Sequence, residues 1–313
     1  MKIIFFGLGS IGLRHARLIK NNFDHELYAY RSSKKSEKNS LGIKEIFELN
    51  EIDRIKPDVA FITNPTNKHV EYATYCARKG INLFIEKPLS NDKQGIPELL
   101  KAIKEKNIVT YTAYCLRFHP AIIWLKKYLK ENKPLHINVN ASSYLHDWRE
   151  NVDPLKHFSA FKDQGGGIIL ELSHEIDYLY YLFGDIKKLS VNSEKISDVT
   201  IDAEDFVDIL LQFKNNVFAN VHINFLSRLW RREIIIDFKD RTIISDIINH
   251  TITIIKDKKR KTLDFEMQLD DMFLEQLEYF FNHLQKGKPM NNITESLKVF
   301  DILMQVKNEA NLL

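Results

Sequence analysis

The chain opens on a continuous apolar run, Ile3-Ile4-Phe5-Phe6, that stops at Gly7. A strand buried on both faces of a parallel sheet reads this way, because neither face has to meet water. The pattern then predicts a helix from about Ile11 to Lys20 and strands at Glu26 to Tyr30 and Val59 to Thr63. His69 to Lys79 reads as a helix, Ile81 to Ile85 as a strand, Gln94 to Lys106 as a helix and Val109 to Ala113 as a strand. Such alternation implies βαβ units with right-handed crossovers, hence a doubly wound parallel sheet running to about residue 120.

Beyond that point strand-like segments follow one another: Ile137 to Ser143, Val207 to Phe213, Val217 to Phe225, Glu233 to Phe238 and Thr251 to Ile255. Asn215-Asn216 suits a hairpin turn, since asparagine tolerates positive φ. Helices are predicted at Ile122 to Glu131, Ile168 to Phe183, Met272 to Lys286 and Thr294 to Asn311. The fold class is therefore α/β, with a Rossmann domain over 1–120 and, over 121–313, an α+β domain on a largely antiparallel open sheet.

Composition narrows the function. The 313 residues are 44% hydrophobic and 28% charged, with 45 basic against 42 acidic side chains, which excludes disordered, collagen-like and coiled-coil chains. A net charge of +3 over that length argues against a nucleic-acid partner. The basic stretch Lys256 to Lys261, interrupted by Asp257, reads as a solvated turn. Cys76 and Cys115 have neither disulfide-scaffold nor zinc spacing, so a reduced, cytoplasmic protein without a metal is expected. The apolar opening is broken by three glycines and followed by Arg14-His15, unlike a secretory signal, and no later run is long enough to span a bilayer.

Gly7-Leu8-Gly9-Ser10-Ile11-Gly12 fits G-x-G-x-x-G between a buried strand and a helix. In that setting the first glycine makes the tight turn, the second admits a pyrophosphate and the third packs helix on strand, with helix N–H groups meeting the phosphate. Gly7, Gly9, Ser10, Ile11 and Gly12 are thus candidate cofactor contacts. Where an NAD enzyme usually carries an acidic residue after the second strand, this chain has Arg31-Ser32-Ser33 followed by Lys34-Lys35. A guanidinium and hydroxyls suit a 2′-phosphate, so NADP is expected ahead of NAD. A basic surface loop without a ligand is the alternative. Glu86-Lys87-Pro88 falls at the carboxyl edge of a predicted parallel strand, where open α/β sheets bind their ligands.

Taken with Asn64-Pro65-Thr66 and His69, Arg117-Phe118-His119-Pro120, Trp148-Arg149, Gly165-Gly166-Gly167 and Ser173-His174-Glu175-Ile176-Asp177, these motifs make the chain resemble the Gfo/Idh/MocA family, the glucose-fructose oxidoreductase and inositol dehydrogenase relatives. The ordered set spans about residues 1 to 185. The resemblance implies a Rossmann domain followed by an α/β domain that often mediates homodimers or homotetramers. It implies Lys87 as the active-site lysine, His174 as the general acid/base, and Asn64, Pro65, His69, Glu86 and Lys87 beside the cofactor. It also places Arg117 and Arg149 near the cleft, where either could clamp a carboxylate, phosphate or sugar oxygen of the substrate, with a surface ion pair as the alternative; Trp148 and Tyr114 belong to the same cluster, to stack on the substrate or simply to pack.

Elementary chemistry supports these roles. Oxidising a secondary alcohol needs a proton acceptor near neutral pH, which imidazole provides, while an ammonium stabilises charge developing on the oxygen. Glu171, His174 and Asp177 recur every three residues in the predicted helix, so Asp177 is expected either to orient His174 or to hold a sugar hydroxyl, with an ordinary intrahelical bond as the alternative. The chain departs from the commonest family pattern, an aspartate four residues before the histidine with a glycine between, so Glu171 is given no role. Likeness of the Leu172 to Asp177 and Tyr144 to Arg149 strings to surface-sugar relatives leans the substrate towards a sugar or nucleotide sugar. A dinucleotide-binding sensor without turnover, or a reductase of a non-sugar substrate, is the alternative.

Overall fold

The computed structural model describes residues 1–33, 39–147, 161–198 and 201–312; Trp148 and Arg149, two expected substrate contacts, lie outside them, as do Lys34 and Lys35. The chain forms two compact units, Met1–Tyr114 with Phe273–Lys298, and Cys115–Met272 with Val299–Leu313. The boundary expected at 120/121 therefore lies at 114/115, and a segment assigned to the second domain belongs to the first.

In the first unit six strands make one parallel sheet, in the order β3-β2-β1-β4-β5-β6. They are β1 (Lys2–Phe6), β2 (Glu26–Tyr30), β3 (Lys44–Ile46), β4 (Val59–Ile62), β5 (Asn82–Ile85) and β6 (Thr110–Thr112), connected through helices α1 (Ser10–Asn22), α2 (Ile52–Ile55), α3 (His69–Arg78) and α4 (Ile96–Lys106). The order reverses between β1 and β4, the switch point beside which such sheets bind ligands. β3 was not foreseen, being three residues with one buried position.

Register explains why residues 273–298 return to this sheet. Phe5, Phe61, Phe84 and Tyr111 are directly paired across β1, β4, β5 and β6. Their rings form a row with successive centroids 4.9, 4.4 and 5.3 Å apart. Such a row is a large apolar surface that needs a cover, and Phe280 supplies one, 5.3 Å from Phe84. Phe280 belongs to α8 (Leu269–His283), and just beyond it Ser296 of α9 (Ile293–Glu309) bonds Thr112 Oγ1 at 2.7 Å.

The second unit contains α5 (Pro120–Tyr128), β7 (His136–Ser142), the short helix α6 (Ile168–Glu171), α7 (His174–Phe183) and the strands β8 (Ile186–Glu194), β9 (Phe206–Phe213), β10 (Phe218–Asn224), β11 (Arg231–Asp237), β12 (Thr242–Asp246), β13 (Thr251–Lys256) and β14 (Lys259–Asp264). Its eight strands run in the order β14-β13-β12-β11-β7-β10-β9-β8, and every pairing but β7 with β10 is antiparallel. The basic stretch is a hairpin: Asp257 and Lys258 turn at positive φ, while Lys259, Arg260 and Lys261 belong to the edge strand β14.

The single helix expected over 168–183 is two helices, interrupted at Leu172 and Ser173. Leu172 leaves helical geometry at ψ 33°, so Glu171 closes one helix and His174 opens the next. The three-residue spacing thus does not put Glu171 and His174 on one continuous helix face.

Candidate active site

The glycine-rich turn of the first unit joins β1 to α1. Gly7 adopts φ +107°, and a Cβ there would lie 2.7 Å from the backbone nitrogen of Asn64, so only glycine fits. Thr63 locks the turn from the next strand, its hydroxyl donating to the Gly7 carbonyl at 2.6 Å, a part the motif alone did not disclose. A Cβ on Gly12 would meet the Gly7 carbonyl at 2.2 Å, whereas one on Gly9 would meet nothing within 4 Å. Gly9 and Ser10 are exposed, α1 has no side-chain cap, and its first turn carries no acidic residue. An exposed helix start with no side-chain cap and no acidic residue fits a pyrophosphate.

Asn64 gives a second mark of a polar ligand. Its amide oxygen and nitrogen are both shut off from water and have no hydrogen-bond partner, a costly condition in a finished interior. Pro65, beside it, is exposed. These features fit a dinucleotide.

Arg31 follows β2 as expected, but its guanidinium is engaged, donating to Glu45 Oε1 of β3 at 2.9 Å. The same oxygen accepts from Asn39 Nδ2 at 2.9 Å, and this bond, with Arg31 behind it, holds the Glu45 carboxyl below its ordinary value despite partial burial. Ser32 is exposed. No sequence signal pointed to Glu45, because its strand was itself unforeseen.

At the carboxyl end of β5, Lys87 is half-buried and the Lys87–Pro88 bond is cis. Glu86 is turned inward rather than towards a ligand: Oε1 accepts from His15 Nε2 at 2.7 Å and Oε2 from the Lys87 backbone N–H at 3.2 Å. His69 likewise is a strut and not an exposed cofactor contact. It is 1% exposed, with Nδ1 2.9 Å from the Pro88 carbonyl and Nε2 2.9 Å from that of Asn64. Burial lowers its pKa, against the pull of those carbonyls.

In the second unit His174 stands half-buried at the start of α7. Asp177 lies one turn on, and its carboxylate faces inward to Arg117, whose Nε and Nη2 donate to it at 3.0 and 2.7 Å. The two side chains are 1% and 0% exposed. Of the two readings of Arg117 this is the ion pair, buried where a surface one was expected, and the Asp177 carboxylate is turned to that guanidinium instead of to an open surface where a sugar hydroxyl could reach it. Tyr114, at the end of the first unit, is also fully buried.

Ahead of α7, Gly167 sits at φ +101° with Glu204 so close that a Cβ would meet its carboxylate at 2.5 Å. Glu204 accepts from the Ile169 N–H at 3.2 Å, and burial raises its pKa. The triple glycine thus allows a carboxylate to hold α6, which leads into His174.

Comparison with known proteins decides the family. The model of the oxidoreductase family with an NAD-binding Rossmann fold, Gfo/Idh/MocA, matches residues 1–114, and that of the Gfo/Idh/MocA C-terminal domain matches 133–244. The chain belongs to the Gfo/Idh/MocA oxidoreductases. It is similar to the myo-inositol 2-dehydrogenase of Thermotoga maritima, 24% identical across 92% of this chain and 90% of that protein. Its fold superposes on an Agrobacterium radiobacter oxidoreductase in complex with NAD+, L-tartaric acid and magnesium (TM-score 0.86, 16% identity, 99% of this chain and 96% of that one). It also superposes on UDP-N-acetylglucosamine 3-dehydrogenase of Acidithiobacillus ferrooxidans (TM-score 0.81, 18% identity, 100% and 98%). As a Gfo/Idh/MocA member the chain is an NAD(P)-dependent oxidoreductase. None of its helices, among the described residues, is long and apolar enough to cross a membrane.

Proposed function

We propose that this oxidoreductase interconverts a hydroxyl and a keto carbon of a sugar, polyol or nucleotide sugar. The observation that carries this reading is Lys87 at the carboxyl end of β5, fixed by Glu86 through its own backbone amide. When bound, the nicotinamide accepts or returns the hydride. Lys87 would stabilise the negative charge that develops on the reacting oxygen, and His174 would take the hydroxyl proton in oxidation and return it in reduction. Asp177, bound to Arg117, would hold the first turn of α7 and with it His174. The inositol and nucleotide-sugar activities named for the two enzymes above support the substrate class.

NADP is proposed as the preferred cofactor with NAD accepted, on the donors of Arg31 and Ser32; the Glu45 carboxylate on that guanidinium sets a limit to the preference. A homodimer or homotetramer in the cytoplasm completes the proposal; Cys76 and Cys115 are both buried.

The test combines nicotinamide fluorescence titration with a screen of inositols, hexoses and UDP-sugars. In His174→Asn and in Lys87→Met kcat is expected to fall by about 100- to 10,000-fold, the range of acid–base catalysis, with NADPH binding as in the wild type for His174→Asn. Binding of cofactor with no redox turnover of any carbohydrate would refute the reading in favour of a sensor or a reductase of a non-sugar substrate.

A further inference from the structure

His15 lies on α1 one turn beyond the glycine motif, at 0% exposure. Its ring is boxed by Phe84, Phe273 and Phe61, with centroids 5.1, 5.7 and 5.9 Å away. An apolar residue would fill such a box at lower cost, since a buried polar ring must recover what it loses in leaving water. Nδ1 recovers nothing, having no hydrogen-bond partner. The ring's polar purpose is the bond from Nε2 to Glu86 Oε1, and a carboxylate only accepts, so the proton of that bond is on Nε2.

We propose that His15 is a positioning residue for Lys87, acting through Glu86, and that it mechanically links the cofactor-binding helix to the catalytic lysine. The relay is short. Imidazole donates to one carboxylate oxygen, and the other oxygen accepts from the amide of Lys87, the peptide on which the ammonium is carried. Three rings prevent the imidazole from turning, so the carboxylate has one orientation and the Lys87 backbone one position. Because His15 rides on α1, whose N-terminus is the proposed pyrophosphate site, any shift of that helix on binding dinucleotide reaches Lys87. This inference rests on Lys87 being catalytic, as proposed above.

Two variants separate positioning from packing. His15→Phe keeps an aromatic ring in the box and removes the donor; His15→Gln places an amide nitrogen about where Nε2 stood. The full-length protein is measured for kcat and KM, for NADPH affinity by fluorescence, and for the rate at which an acylating reagent labels Lys87, read by peptide mapping without cofactor. His15→Phe is expected to lower kcat by about 10- to 100-fold, the scale of a displacement near 1 Å, with KM and NADPH affinity little changed. It should also alter the Lys87 labelling rate, and His15→Gln should restore both. Wild-type kcat and labelling in His15→Phe would overturn the proposal, as would a folded His15→Gln no better than Phe. Should His15→Phe fail to fold, Glu86→Gln, which weakens the acceptor at constant size, gives the same reading through the labelling rate. Normal turnover in Lys87→Met would sink the catalytic assignment instead, and the His15-dependence of labelling tells that failure apart.

Discussion

Replacing Asp177 by alanine tests whether this carboxylate serves the fold or the substrate. The Arg117 and Asp177 side chains are 1% and 0% exposed, and the guanidinium also lies 4.6 Å over the ring of Tyr181. Alanine would leave a buried cation without its counter-charge, which costs about 3–5 kcal/mol. For a folding unit of this size each kcal/mol moves the melting midpoint by about 2–4 °C, so the expected loss is about 6–20 °C. Thermal melts followed by circular dichroism read this directly. Replacing both partners, as Arg117→Met with Asp177→Leu, should recover much of the loss, because no unpaired charge then remains. Turnover of Asp177→Ala, assayed well below its midpoint, should fall less than that of His174→Asn. An unchanged midpoint with turnover abolished would refute the structural role and return Asp177 to the chemistry.

Three further outcomes follow from the geometry. Glu45→Gln removes the negative charge beside Arg31 and should shift the NADPH-to-NADH affinity ratio towards NADPH by about tenfold, worth about 1.4 kcal/mol, whereas Arg31→Asp should shift it the other way; an unmoved ratio in fluorescence titration would show that this corner does not read the 2′ position. His119 is 1% exposed and burial lowers its pKa from 6.5 to about 4, so the unfolded chain takes up this proton first and stability is lost as pH falls from 6.5 towards 4, by up to about 3 kcal/mol. His119→Asn, which can still accept the Ala121 N–H as His119 does, should flatten the denaturation midpoint over that window. Gly7→Ala should abolish dinucleotide binding, since its Cβ would collide with backbone at 2.7 Å, and retained affinity would show that the turn can yield.

The central strands of the first unit were legible because they are buried on both faces, and runs such as Ile3 to Phe6 or Val59 to Ile62 announce themselves. What escaped were edges. β8 and β14 close the two ends of the second sheet, and their lysines, serines and asparagines suit solvent and discourage edge pairing while hiding strand periodicity. β12 buries Ser245 completely, a residue that reads as a turn former. At the site, the glycine turn could be singled out from local spacing, and Lys87 and His174 through the family resemblance. The partners that decide what a charged group can do could not. Asp177 meets Arg117 across 60 positions and Glu86 meets His15 across 71, so side chains that suggested ligands proved to be satisfied from within.

The aromatic row on the parallel sheet bears on how the protein is made. Its cover lies beyond Phe273, so during synthesis Phe61, Phe84 and Tyr111 are translated long before the residues that shield them. Until the whole of 115–272 has left the ribosome, a nascent chain carries an oily stripe on its first lobe, and chaperone capture or premature aggregation should centre there. A gene fragment ending at residue 114 would preserve that vulnerable state permanently and should be insoluble, while supplying 273–298 through a fused linker should rescue it.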